Sequence, residues 1–348
     1  MAASPASVPV TLALEGGGSF GAFGWGVIGR LLEEPRLRVE AVSGASAGAM
    51  NAAMLVQGLA IGGPEEAKRL LELFWRRVAV AAGSLDLDSA RWTRLFTGFL
   101  AVALDELRHK VLSHHPITPP GPNPLRTVLA GLLDASAFAA AGAPMLVVSA
   151  TNVRTGEPRL FANTEVTADA LLASACLPQL FPAVEIDGEA YWDGGYSSNP
   201  PLRPLIEAGA PSDVIVVRST PAERPDVPAT AGHVVERAIE IAFGAALRHE
   251  IRSIAGAQQL LSTVPRLTGV LARLRRARLH MIGAEEAFRA MRTSSHLHPS
   301  WGFLLEMRAL GAATAEAWLS QNLASVGSRS TVELNTRAAI RPPEAPAG

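Results

Sequence analysis

The chain has 348 residues, with 31 Lys or Arg against 32 Asp or Glu and a formal net charge of −1. Hydrophobic residues make up 48% and charged residues 18%, which excludes a disordered chain and implies a globular one with a sizeable core. Near-neutral charge removes any global attraction to nucleic acid, and the length suits one large domain with insertions or two domains.

Val8–Leu14 alternates apolar and other residues and reads as a strand. A glycine-rich loop, Glu15–Gly21, follows. Phe20, Phe23, Gly24, Val27, Ile28, Leu31 and Leu32 then fall at helical spacing, stopped by Glu33-Glu34-Pro35. Leu37–Val42 reads as a second strand running into Gly44-Ala45-Ser46-Ala47-Gly48, with a helix over Ala47–Met54. Residues 8–58 thus form a βαβα unit, which implies a parallel sheet covered by helices. Residues 59–143 carry helical periodicity, broken by Pro116, Pro119, Pro120, Pro122 and Pro124, and read as a helical insertion or cap. Residues 145–150 and 214–217 read as buried strands, and Tyr191-Trp192-Asp193 ends a shorter one. Thr230 to about Ser262 predicts one long amphipathic helix or two, and another helix begins near Ser300-Trp301. Residues 1–9 are expected to be flexible and 339–348 disordered.

Gly44–Gly48 is a G-x-S-x-G turn between a strand and a helix. Small neighbours let the backbone turn sharply and let a substrate approach Ser46. The following helix aims its positive end at the serine, which favours an oxyanion there. Gly16, Gly17 and Gly18, with Gly21 beyond, leave backbone N–H groups bare. Such a nest suits a phosphate or the oxyanion of acyl transfer. Gly16-x-Gly18-x-x-Gly21 also fits a dinucleotide site, so a nucleotide-binding module stands as an alternative. No acidic residue ends the second strand, and no Gly-Lys-Ser/Thr follows, so that alternative is the weaker one.

Ser46 needs a base. His233, His249, His280, His296 and His298 all follow it, but none sits in a turn-like setting, and each reads as a surface or structural residue. Asp193, at a strand end before Gly194 and Gly195, is the better candidate. Desolvation beside Tyr191 and Trp192 would raise its pKa and strengthen it as a base.

The order of these segments resembles the patatin-like phospholipase family. Ser149-Ala150-Thr151-Asn152, Thr155-Gly156, Ala173–Pro178, Phe181-Pro182-Ala183 and Asn199-Pro200-Pro201 fit the same pattern, and the match spans roughly residues 10–206. The resemblance implies a three-layer α/β/α fold with a mainly parallel sheet. Residues 10–206 would be the catalytic domain and residues 207–338 a strand and helical extension of the same fold. It further implies a Ser46–Asp193 dyad without histidine, and an oxyanion hole around Gly16, Gly17, Gly18 and Ser19. The implied activity is lipid acyl hydrolysis through an acyl-enzyme. An acyltransferase with the same dyad and a neutral-ester or polyester hydrolase are the alternatives, and a non-catalytic lipid-binding scaffold is a third class. Many family members carry Arg or Lys where this chain has Phe20, which opens the way to neutral esters.

Cys176, the single cysteine, excludes an internal disulfide and fits a reducing cytoplasmic compartment. No signal peptide is read at the N-terminus, and the apolar run Leu95–Leu104 is too short to span a membrane. Phe96, Phe99, Leu100, Val102 and Leu104 line either an acyl pocket or the core. Arg266, Arg273, Arg275, Arg276 and Arg278 read as a solvated helix face, or as a contact for anionic lipid at a membrane surface. No metal, cofactor or nucleic-acid partner is expected. The expected partner is a lipid or small ester.

Overall fold

The computed structural model describes residues 7–84, 123–178, 180–291 and 299–332. The expectations for Leu95–Leu104, for Pro116 to Pro122, for His296 and His298, and for both chain ends beyond these limits lie outside the described residues.

The opening βαβα unit is present: β1 (Val8–Leu14), α1 (Gly21–Leu31), β2 (Leu37–Ala45) and α2 (Ala47–Ser84). α2 breaks at Gly63, where φ is +75°, just before Pro64. Next come α3 (Leu125–Leu129), β3 (Met145–Asn152), β4 (Pro158–Ala162), α4 (Ala168–Ser174), β5 (Val184–Ile186) and β6 (Glu189–Asp193). The chain ends with α5 (Arg203–Ala208), β7 (Asp213–Arg218), α6 (Ala231–Leu261), α7 (Gly269–Arg276), β8 (Arg278–Gly283), α8 (Glu285–Ala290) and α9 (Trp301–Asn322). The predicted ends of the two long helices coincide with side-chain caps. Thr230 caps α6 and Ser300 caps α9, each accepting a backbone N–H three residues on. No described helix is long and apolar enough to cross a membrane.

The eight described strands form one sheet in the order β5-β6-β3-β2-β1-β7-β8, with β4 also paired to β3. The pairs β1–β2, β1–β7, β2–β3 and β7–β8 are parallel, whereas β4, β5 and β6 run antiparallel to their neighbours. Alternate residues feed opposite layers. Val10, Leu12 and Leu14 of β1 and Ile215 and Val217 of β7 join the core beneath α1, α2 and α9. Ala13, Val214 and Val216 join a second core with α5, α6 and α7. The result is a three-layer α/β/α molecule.

Two strand pairings decide where the site forms. β4 occupies one edge of β3 over Val147–Thr151. β2 pairs along the other edge as far as Ala45, opposite Ser149. β6 takes over that edge from the opposite direction and ends with Asp193 opposite Ala150. The ends of β2 and β6 therefore meet at adjacent residues of β3.

β8 was not foreseen, and Arg278, read with the arginine cluster, is its first residue. Only Arg266 and Arg276 of that cluster are exposed. Arg275 donates to the Val264 carbonyl, and Arg278 makes paired bonds to Asp213 at 2.9 and 2.6 Å. Asp213 also interacts with buried His280, 3.1 Å from Nε2, and accepts the Gly327 N–H at 2.8 Å. Burial works against the charge of Asp213, but these partners outweigh it and hold the carboxyl well below its ordinary value. Its stabilising effect is therefore complete above about pH 4 and is lost as pH falls through the lower folded value. Asp213→Ala is expected to lower stability by about 3–5 kcal/mol in urea melts at neutral pH. The gap from wild type should narrow in acid below about pH 4.

Candidate active site

Ser46 lies between the end of β2 and the start of α2 with φ +54°, a left-handed conformation that costs a serine on the order of 1–3 kcal/mol. Its N–H points at Ser174, 3.0 Å from Oγ and 3.1 Å from the carbonyl oxygen. Its own carbonyl accepts the N–H groups of Ala49 and Met50, the first turn of α2. A Cβ on Gly44 would stand 2.4 Å from the Gly48 oxygen, and one on Gly48 would stand 2.1 Å from the Leu14 oxygen. The flanking glycines let three backbone segments touch, and that contact holds the turn.

Asp193 is fully buried. Its N–H donates to the Cys176 carbonyl at 2.8 Å, so the segment Ser174–Cys176 grips both Ser46 and Asp193 by their backbones. The carbonyl of Asp193 accepts from Thr151 Oγ1, and its Oδ1 accepts the Gly195 N–H, both at 2.8 Å. Oδ2 has no hydrogen-bond partner among the described residues. The Ser46 hydroxyl stands close enough to lower the pKa of the carboxyl without closing a full bond. Burial dominates and pushes Asp193 up to about 7, against the lowering by Gly195 and Ser46. Gly194 packs on the Ser149 backbone and Gly195 on the ring of Phe243 in α6. Cys176, buried next to Asp193, has its thiol pushed up to about 12, so it is an inert thiol at neutral pH.

The glycine loop differs from expectation at one position. The Gly16 N–H is donated to Asn199 Oδ1 at 2.7 Å, so it is a structural bond rather than a free donor. The N–H groups of Gly17, Gly18 and Ser19 have no acceptor among the described residues. Gly18 has φ +56° and opens a short 3-10 turn that leads into α1. Gly21, at the start of α1, lies against Ala47 at the start of α2, so two helix N-termini converge beside Ser46. Beneath the loop, buried Glu15 accepts from the N–H groups of Ser219 and Thr220 and from Thr220 Oγ1, at 2.7, 3.0 and 2.9 Å. Burial raises its pKa, opposed by Arg218 and these bonds.

A cavity of about 40 Å³ lies between the glycine loop and α6 and reaches Ser46. Phe20, Leu177, Ile239 and Phe243 form its apolar walls. Phe20 is itself buried, with its ring 5.3 Å from that of Phe288. No described histidine lines this cavity. His233 and His249 are exposed on α6, and His280 sits between Asp213 and Thr331, three strands from β2.

Glu15, Ser174 and Asn199 were not singled out by the sequence reading for the roles they play here. Glu15 alone carried a local signal, a carboxylate at the end of a buried strand immediately before the glycines. Ser174 and Asn199 act through contacts 128 and 183 residues away in sequence.

A layered α/β sheet here carries a strained serine turn, a buried carboxyl and a loop of free amides. The family model for patatin-like phospholipase matches residues 12–206, and the chain belongs to that family of lipid acyl hydrolases. Among solved structures it is similar to VipD from Legionella pneumophila, with 16% identity, a TM-score of 0.34, and 88% of this chain and 67% of that chain covered. It is also similar to the ExoU–SpcU heterodimer of the Pseudomonas aeruginosa type III secretion system, with 14% identity, a TM-score of 0.24, and coverage of 92% and 76%. No curated protein matches the chain.

A buried carboxyl with a raised pKa stabilises the fold only while protonated. Its penalty grows as pH rises from the unfolded value to about 7 and is constant above it. Asp193→Asn is therefore expected to raise stability at alkaline pH, by on the order of 4 kcal/mol at most. That gain should shrink toward zero near pH 4 in thermal melts. An equal or lower melting temperature at alkaline pH would contradict the raised value.

Proposed function

We propose that the protein cleaves carboxylic esters of lipids through a Ser46–Asp193 dyad and an acyl-enzyme. The Ser46 Oγ attacks the ester carbonyl carbon, and its proton passes to Asp193 Oδ2. The N–H groups of Gly17, Gly18 and Ser19 and the N-termini of α1 and α2 receive the negative charge on the carbonyl oxygen. When the tetrahedral species collapses, the bond to the leaving alcohol breaks and Asp193 returns the proton to that oxygen. Water, deprotonated by Asp193, then attacks the acyl carbon. The fatty acid leaves and Ser46 regains its proton.

One observation carries this reading. The buried Asp193 Oδ2 lacks a partner beside the Ser46 hydroxyl, and burial pushes the carboxyl up to about 7. A base poised near neutrality both accepts and returns a proton, which a solvated aspartate does poorly. On this reading residues 10–206 hold the reacting groups, and α6 roofs the cleft. Access to lipid at a membrane surface would be peripheral.

Hydrolysis of p-nitrophenyl butyrate should fall by at least about 10³-fold in Ser46→Ala and in Asp193→Asn, with unchanged circular dichroism. Wild-type turnover in Asp193→Asn would reject the dyad.

A further inference from the structure

Glu236 has no part in the chemistry just described, yet it lines the same cavity as Ser46. It projects from α6, is 4% exposed, and its Oε2 has no partner. Among the described residues it makes no side-chain hydrogen bond and no ion pair. The neighbouring carboxylate differs. Glu240 is held by Arg224 at 2.7 Å and by Arg237 at 3.0 Å. Those two arginines are thereby committed, and Arg224 also donates to the carbonyls of Phe288, Arg289 and Met291.

The cavity therefore has an unusual balance. Among the described residues no Lys or Arg lines it, its walls are mostly apolar, and the one unpartnered charged side chain is a carboxyl. Leaving a buried carboxyl without a partner is costly, and a native site that does so is set to receive a donor. Burial raises the pKa of Glu236, and Glu240 adds to the rise, while His233 and Arg224 oppose it. Among the described residues a phosphate beside the scissile ester would meet no cation in the lining of this space and would face the carboxyl groups of Glu236 and Glu240. A hydroxyl or an ammonium group would give Glu236 the bond it lacks.

We propose that Glu236 recognises the leaving group, accepting a hydrogen bond from a hydroxyl or ammonium on it. The site then takes acylated polyols or amino alcohols in preference to esters with phosphate next to the scissile bond. This rests on the hydrolase reading for the identity of the leaving group, but the recognition itself is measurable without turnover.

Calorimetric titration with three ether-linked octyl ligands tests it: 1-O-octylglycerol, 2-(octyloxy)ethylamine and octyl phosphate. At mildly alkaline pH, wild type should bind the glycerol or the amine ligand at least about tenfold more tightly than octyl phosphate, roughly 1.4 kcal/mol. Glu236→Leu should lose that preference while keeping or raising the melting temperature, because it removes a buried carboxyl that nothing satisfies. Glu236→Gln separates the two donors. Its amide oxygen still accepts from a hydroxyl, so a glycerol preference survives, whereas an amine preference collapses with the charge. Equal binding of the three ligands by wild type, or a preference that persists in Glu236→Leu, would overturn the proposal. None of the ligands contains an ester, so a protein that binds them as expected but cleaves nothing would refute the hydrolase reading alone.

Discussion

The site depends on one edge of β3. β2 and β6 approach along that edge from opposite directions and stop at Ser149 and Ala150. Ser46 is the first residue past the end of β2, and Asp193 is the last residue of β6, so strand register alone makes 147 residues of sequence separation disappear. Side-chain flexibility has little freedom to undo this, because both backbones are clamped again by Ser174, the last residue of α4, and by Cys176 just after it. A one-residue slip of β6 on β3 would turn Asp193 to the opposite face of the sheet. The strain of the left-handed serine and the burial of an unpartnered carboxyl oxygen are both carried by these ladders.

Three of the buried carboxyls in the described structure, Asp213, Glu15 and Asp193, meet different fates for readable reasons. Asp213 has an arginine, a histidine and a backbone amide around it, and stays ionised far into acid. Glu15 has three hydrogen-bond donors but complete burial, so its pKa is raised while it anchors the loop after β7. Asp193 has one backbone donor and a serine hydroxyl at near contact, and it titrates near neutrality. Donor count against desolvation decides the direction of each shift. Of these three, the carboxyl with the fewest firm partners is the one next to the strained serine, the pairing expected where a fold gives up stability for chemistry.

Much of the fold was legible because its signals are local. The strand–glycine–helix opening, the serine turn, and the Thr230 and Ser300 caps each lie within a few residues of the element they specify. β8 was not legible. Arg278 and His280 look like polar interruptions, and a strand accommodates them where Asp213, far away in sequence, bonds to both side chains. The same limit explains Gly16. Its N–H looks like part of a nest until Asn199, far along the chain, arrives to occupy it. Asp193 was readable as a strand-end carboxylate. Its pairing with Ser46 came from the family resemblance, since register between β3 and β6 leaves no mark in a single sequence. Glu236 had no signal at all, because a glutamate on an amphipathic helix looks solvated until the cavity beside it is known.

The most direct measurement is the rate at which a fluorophosphonate labels the protein as a function of pH, with the adduct mapped by mass spectrometry. Proton transfer from the serine to a carboxylate buried beside it predicts a single adduct on Ser46, forming at a rate that climbs with pH about a midpoint near 7. A rate independent of pH across that range, or an adduct on another serine, would contradict the account.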